Sequence, residues 1–137
     1  MSTEMTYDYT IIRVVPRVER GERINVGVIL SCVDAEFLEA RIAVDAARLT
    51  ALDPDIDLDA VHAALDSILR VCAGGSDAGA IGELPPRNRF RWLASPRSTI
   101  VQPSRVHTGR TCDPRKTLDH LLSTMVLAPT RRTDAGA

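Results

Sequence analysis

The chain has 137 residues, 17 of them Lys or Arg and 18 Asp or Glu, and is 45% hydrophobic. That is the length of one ordinary domain and the composition of a globular one, which excludes disordered and fibrous classes. No apolar run approaches the roughly 18 residues that span a bilayer, and "MSTEMTYDYT" lacks the cationic and apolar regions of a signal peptide, so a cytoplasmic protein with no membrane partner is expected.

Tyr7 to Val15, "YDYTIIRVV", is β-branched and aromatic and predicts a strand closed by Pro16, with a turn around Gly21. In "INVGVILSC", Ile24, Val26, Val28, Leu30 and Cys32 alternate with Asn25, Gly27, Ile29 and Ser31, predicting a second strand with the first set on one face. "FLEARIAV", Phe37 to Val44, is a third strand, and the short links make an antiparallel meander. "DAARLTAL" predicts a short helical turn before Pro54.

A longer helix follows, with Leu58, Val61, Leu65, Ile68, Leu69 and Cys72 as its apolar stripe, Asp55 or Asp57 as its cap, and Gly74 or Gly75 as its end. "GGSDAGAIGELPPRN" reads as a surface connection. "RFRWLASPRSTIVQP" reads as a hairpin, Phe90, Trp92 and Ala94 alternating on one arm, "SPR" turning, and Thr99 to Val101 returning. A final helix starts at Asp113 with Pro114 in its first turn and Leu118, Leu121, Leu122 and Met125 facing inward. The expected fold is α+β: a mainly antiparallel sheet, the meander plus the hairpin, with two principal helices on one face. One domain covers residues 1–128, and residues 129–137 form a tail.

Chemical motifs are scarce. Cys32, Cys72 and Cys112 are dispersed and form no C-x-x-C pair, which suits buried thiols in a reducing compartment rather than a disulfide or zinc framework. "DPDIDLD" imitates the first half of a calcium loop, but Leu58 stands where its glycine belongs and Ala64 where its bidentate acid belongs. Helix capping explains the same acids, so no metal is expected. No Walker loop, dinucleotide fingerprint, zincin motif or nucleophile elbow is present, and no cofactor is expected. With Phe90 and Trp92 placed inward there is no stacking platform for single strands, which disfavours nucleic acid.

The charge is unevenly laid out. Asp34 to Asp66 holds nine acids against Arg41 and Arg48, while Arg87 to Lys116 holds eight cations against Asp113 alone. Arg91 to Arg110, "RWLASPRSTIVQPSRVHTGR", carries four arginines and His107 with no acid. Arg97 at a hairpin tip, followed by Ser98, Gln102, Arg105, His107 and Arg110 leading to a helix N-terminus, forms a candidate receiver for a carboxylate or phosphate. The competing reading is that these arginines pair with the acidic half of the chain.

"YTIIRVVPRVERGERINVGVIL" and "RFRWLASPRSTIVQPSRVHTG" resemble the two signature blocks of a bacterial family, domain of unknown function 3037. The resemblance covers about Tyr7 to Leu122 and maps family positions onto Arg20, Gly21, Glu22, Asn25 and Gly27, then Ser95, Pro96, Arg97, Ser98, Gln102, Pro103, His107, Thr108 and Gly109. It implies a regulatory or toxin–antitoxin-like partnership with a HipA-like kinase. If the sheet joins the two blocks, Glu22 orients Arg97 and Asn25 adds an amide, as a binding site or as a latch. The leading reading is a non-catalytic module binding a protein partner or an anionic ligand through the surface from Arg97 to Arg110. The alternative is a small enzyme on a phosphorylated or nucleotide substrate, with His107 as general base and Arg97 as anion clamp.

Overall fold

A computed structural model describes residues 3–129. Residues 130–137, most of the expected tail, lie outside the described residues. Strands β1 (Met5–Val14), β2 (Ile24–Cys32) and β3 (Phe37–Ile42) form the expected antiparallel meander. Helix α1 (Ala46–Leu52) begins at Asp45, whose carboxylate accepts from Arg48 N, and α2 (Leu58–Ala73) begins at Asp57, whose carboxylate accepts from Ala60 N. Gly74 ends α2 at φ 77°, a conformation that glycine adopts without steric cost.

The pairing of β1 with β2 slips by one residue. Ile12 faces Gly27 while Arg13 faces Asn25, so Val26 is the extra residue of a bulge. One extra residue in a period-two pattern moves the rest of the strand to the opposite face. Val28, Leu30 and Cys32 therefore share a core with Ile11, whereas Ile24 and Val26 join Ile12 and Val14 on the other side. The expected single-face set is split by the bulge. Gly27 sits beside it in close packing: a Cβ there would lie 2.7 Å from the Arg41 carbonyl oxygen and 2.9 Å from Ile12 Cδ1.

The expected hairpin is not formed. Residues 86–93 are helix α4 (Pro86–Leu93), preceded by the single turn α3 (Gly79–Gly82) inside the expected connection. The alternation of Phe90, Trp92 and Ala94 is too short to separate strand from helix period. Pro86 in the first turn and the i, i+3 pair of buried Phe90 and Leu93 satisfy the helix instead. Strands β4 (Val101–Pro103) and β5 (His107–Thr111) do not pair with each other: both run antiparallel along the same edge of β1. Buried Ser104 joins them, its Oγ accepting from Ile11 N at 2.8 Å while Thr10 Oγ1 donates to its carbonyl at 2.8 Å.

The sheet order is β3-β2-β1-β4, with β5 also on β1, and the fold is α+β with an open antiparallel sheet. Its helices do not share one face. α1, α2 and α4 cover the side holding Ile12, Val14 and Val26, and α5 (Pro114–Met125) covers the side holding Val28 and Leu30. The bulge makes β2 apolar on both sides, so both need a cover. Leu69 and Met125, expected inward, are 41% and 44% exposed. Among the described residues no helix is long and apolar enough to cross a membrane.

Candidate functional site

Helix α4 and the loop after it place the residues of the second block. Arg97 turns back on the helix that precedes it: its Nη2 donates to the Trp92 carbonyl at 2.8 Å and its Nη1 to the Leu93 carbonyl at 3.3 Å. These carbonyls belong to the last turn of α4, whose acceptors lack intrahelical partners. The guanidinium lies 4.5 Å from the Trp92 ring centroid, a cation–π contact. Burial pulls the Arg97 pKa below the usual arginine value, and among the described residues no carboxylate pairs with it.

Trp92 is 41% exposed, where the hairpin reading had placed it inward. With Arg97 it walls a cavity of about 250 Å³ whose floor is Ile68 of α2 with Ile100 and Val101 of the strand approach. Local hydrogen bonds hold the loop: Ser95 Oγ donates to the Arg91 carbonyl, Thr99 Oγ1 to the Val101 carbonyl, and Gln102 Nε2 to the Thr99 carbonyl. Ser98 is exposed. The signals that could have found this site are Pro86 at a helix start and the helical spacing of Phe90 and Leu93.

The remaining predicted residues do not converge here. Arg20 pairs with Glu22 rather than leaving Glu22 to orient Arg97. Both blocks do meet at one end of the sheet, since Val14 pairs with Ile24 and with Val101. Asn25 donates its amide to the Met125 carbonyl at 2.9 Å and so caps α5. His107 stands opposite Tyr9 on the α5 side, the rings stacked with centroids 5.2 Å apart. Arg110 pairs with Glu4 and lies opposite Thr6. From Val14 to Thr6 is eight residues of strand, about 26 Å at about 3.3 Å per residue, so Arg97 and Arg110 mark opposite ends of the sheet. Arg105 is exposed between them.

Arg97 and His107 thus sit on opposite faces, and a reaction that uses one as clamp and the other as base has no common centre. The single anion receiver expected over Arg97 to Arg110 is likewise not assembled. Nor do the acidic and basic segments neutralise each other: among the described residues only Arg115–Glu39 joins them. Asp53 and Asp55 are met by Arg17 of the loop between β1 and β2. Arg87 of α4 pairs with Asp8 at 2.8 Å, and Thr108 Oγ1 donates to the same carboxylate.

A family model described as protein of unknown function (DUF3037) matches residues 9–126. No curated protein and no solved structure matches the chain.

Proposed function

We propose, for a chain that belongs to the DUF3037 family of proteins of unknown function, the role of a non-catalytic protein-interaction module of the bacterial cytoplasm. Its docking surface is the Trp92–Arg97 groove. One observation carries the reading: a half-exposed tryptophan is stacked under a guanidinium that no carboxylate of the described residues neutralises. Trp and Arg are the residue types that dominate binding energy at protein interfaces. The uncompensated charge fits an acidic side chain of the partner, while Ile68, Ile100 and Val101 receive an adjoining apolar one. An acidic-apolar segment of a protein is therefore the occupant.

A HipA-like kinase, which resemblance to the family brings forward, is the first partner to test. Titration calorimetry of such a kinase encoded beside this chain against the native protein and against Trp92→Ala and Arg97→Ala is the direct measurement. Loss of about 2 kcal/mol in either variant, roughly thirtyfold in affinity, is expected for a central interface residue. Because Arg97 also ends α4, Trp92→Ala carries the decision. Unchanged kinase affinity in that variant removes this surface from the interaction.

A further inference from the structure

The meander leaves one edge of the sheet open. β3 is its terminal strand and pairs with β2 alone among the described residues. Just beyond the end of β3, Ala43 N donates to the Val26 carbonyl at 2.8 Å. The ladder alternates from there, so Arg41, Glu39 and Phe37 turn their N–H and C=O groups toward β2, and Ile42, Ala40 and Leu38 turn theirs outward. Among the described residues those outward groups meet only the Arg41 Nη1, 3.4 Å from the Ala40 carbonyl. A row of unpaired donors and acceptors on a strand with no proline and no slip in its register is a template for another strand.

The side chains select that strand. Leu38 and Ala40 point into the core beneath α2, whereas Glu39 and Arg41 stand on the α5 side and pair with Arg115 and Asp119. Their side chains are still 34% and 30% exposed. A two-fold axis through Ala40 sets Ala40 against Ala40 and Leu38 against Ile42 as the pairs that exchange backbone bonds. Glu39 then lies opposite Arg41 of the second copy, and Arg41 opposite its Glu39, in the non-hydrogen-bonded positions where side chains come closest. Moving the axis to Glu39 or to Arg41 sets like charges face to face. On the other face Leu69 of α2, 41% exposed, borders the same edge and lines an open cavity of about 190 Å³ with Leu38, Ala40 and Cys72. An axis normal to the sheet keeps that face of both copies on one side, so the two Leu69 side chains flank the junction.

We infer that the β3 edge is occupied by a second copy of this chain, joined through β3 in antiparallel register about Ala40 to make one continuous sheet. The Trp92 groove borders Val101 of β4, beyond β1 from this edge, so the dimer leaves it open and the two readings stand or fall separately. Sedimentation velocity of the full chain over a micromolar concentration series reads the dimer directly, at twice the 14.9 kDa of one chain. Glu39→Arg brings an arginine against Arg41, and Arg41→Glu brings a glutamate against Glu39, each at two symmetric positions. Either variant alone should dimerise at least about tenfold more weakly. The ion pairs they lose to α5 lie at the surface and contribute little to stability, so both variants keep the fold, with circular dichroism as the check. Mixed in equal amounts, they restore opposite charges across the junction and should form a heterodimer of near-native affinity. Ala40→Pro removes the central outward donor without touching the β2 ladder and should weaken the native dimer as well. A native chain that is monomeric at about 200 µM, a dimer indifferent to both charge substitutions, or two weakened variants that fail to pair on mixing overturns the inference.

Discussion

Arg89 offers the sharpest test of how the second block is built. It is only 9% exposed and has no carboxylate partner among the described residues. Its Nε donates to the Leu84 carbonyl at 3.0 Å, and its Nη1 to the Val71 and Cys72 carbonyls at 2.8 and 2.6 Å. Val71 and Cys72 lie in the last turn of α2, where carbonyls lack intrahelical donors and carry the negative end of the helix dipole. Arg89 therefore ties the end of α2 to α4 and is the reason residues 86–93 are anchored as they are. Replacing it with methionine keeps the bulk and removes the donors. Each charge-assisted bond to a buried acceptor is worth about 1.5–3 kcal/mol, and relief of the guanidinium's desolvation offsets part of that. The bond to the Leu84 carbonyl is only partly buried, so the two fully buried bonds to the α2 carbonyls set the net loss at about 2–3 kcal/mol.

Such a loss is a large share of the roughly 5–15 kcal/mol that holds a domain together. Urea denaturation followed by circular dichroism should show it in Arg89→Met as a lower midpoint at unchanged slope. Arg91→Met, a surface change on the same helix, should stay within about 0.5 kcal/mol of the native chain. If Arg89→Met also stays within that margin, the three carbonyl contacts contribute nothing net and the anchoring argument is wrong.

Gly27→Ala should cost about 2–3 kcal/mol in the same assay, because the added Cβ meets the Arg41 carbonyl oxygen and Ile12 inside a packed sheet; a neutral result would mean that the bulge yields. The Cys72 thiol, pushed by burial from its ordinary value of 9.0 to about 12, predicts an alkaline limb of stability. Between those values the unfolded state loses the proton that the folded state keeps, so stability is complete below about pH 9 and falls by about 1.4 kcal/mol per pH unit above it. Tyr7, whose pKa burial also raises, adds to the fall above about pH 10. Cys72→Ala should flatten the slope from pH 9 upward when denaturation midpoints are compared across that range, and an unchanged slope would refute the assignment.

The meander, α2 and α5 were legible in the sequence because their signals are local. β-branched runs, an aspartate before each helix and a proline in the first turn of α5 act within a few residues of themselves. Glu22 lies just before β2 and Asn25 at its start, and the two sequence blocks meet at one end of the sheet. What each side chain does there was not legible. Glu22 takes the guanidinium of Arg20, two residues away, and Asn25 takes a carbonyl a hundred residues away.

Length, charge pattern and hydrophobic period by themselves determined an α+β domain with a three-strand antiparallel core. Only the tertiary structure decided the rest. A one-residue bulge at Val26 turned β2 into a strand buried on both faces, which sent α5 to the side opposite α2. The unpaired carbonyls at the end of α2 recruited Arg89 and anchored as a helix a stretch whose alternation predicted a strand. That choice turned Trp92 outward beside Arg97 and left His107 on the far face, because side-chain direction depends on register and on partners distant in sequence.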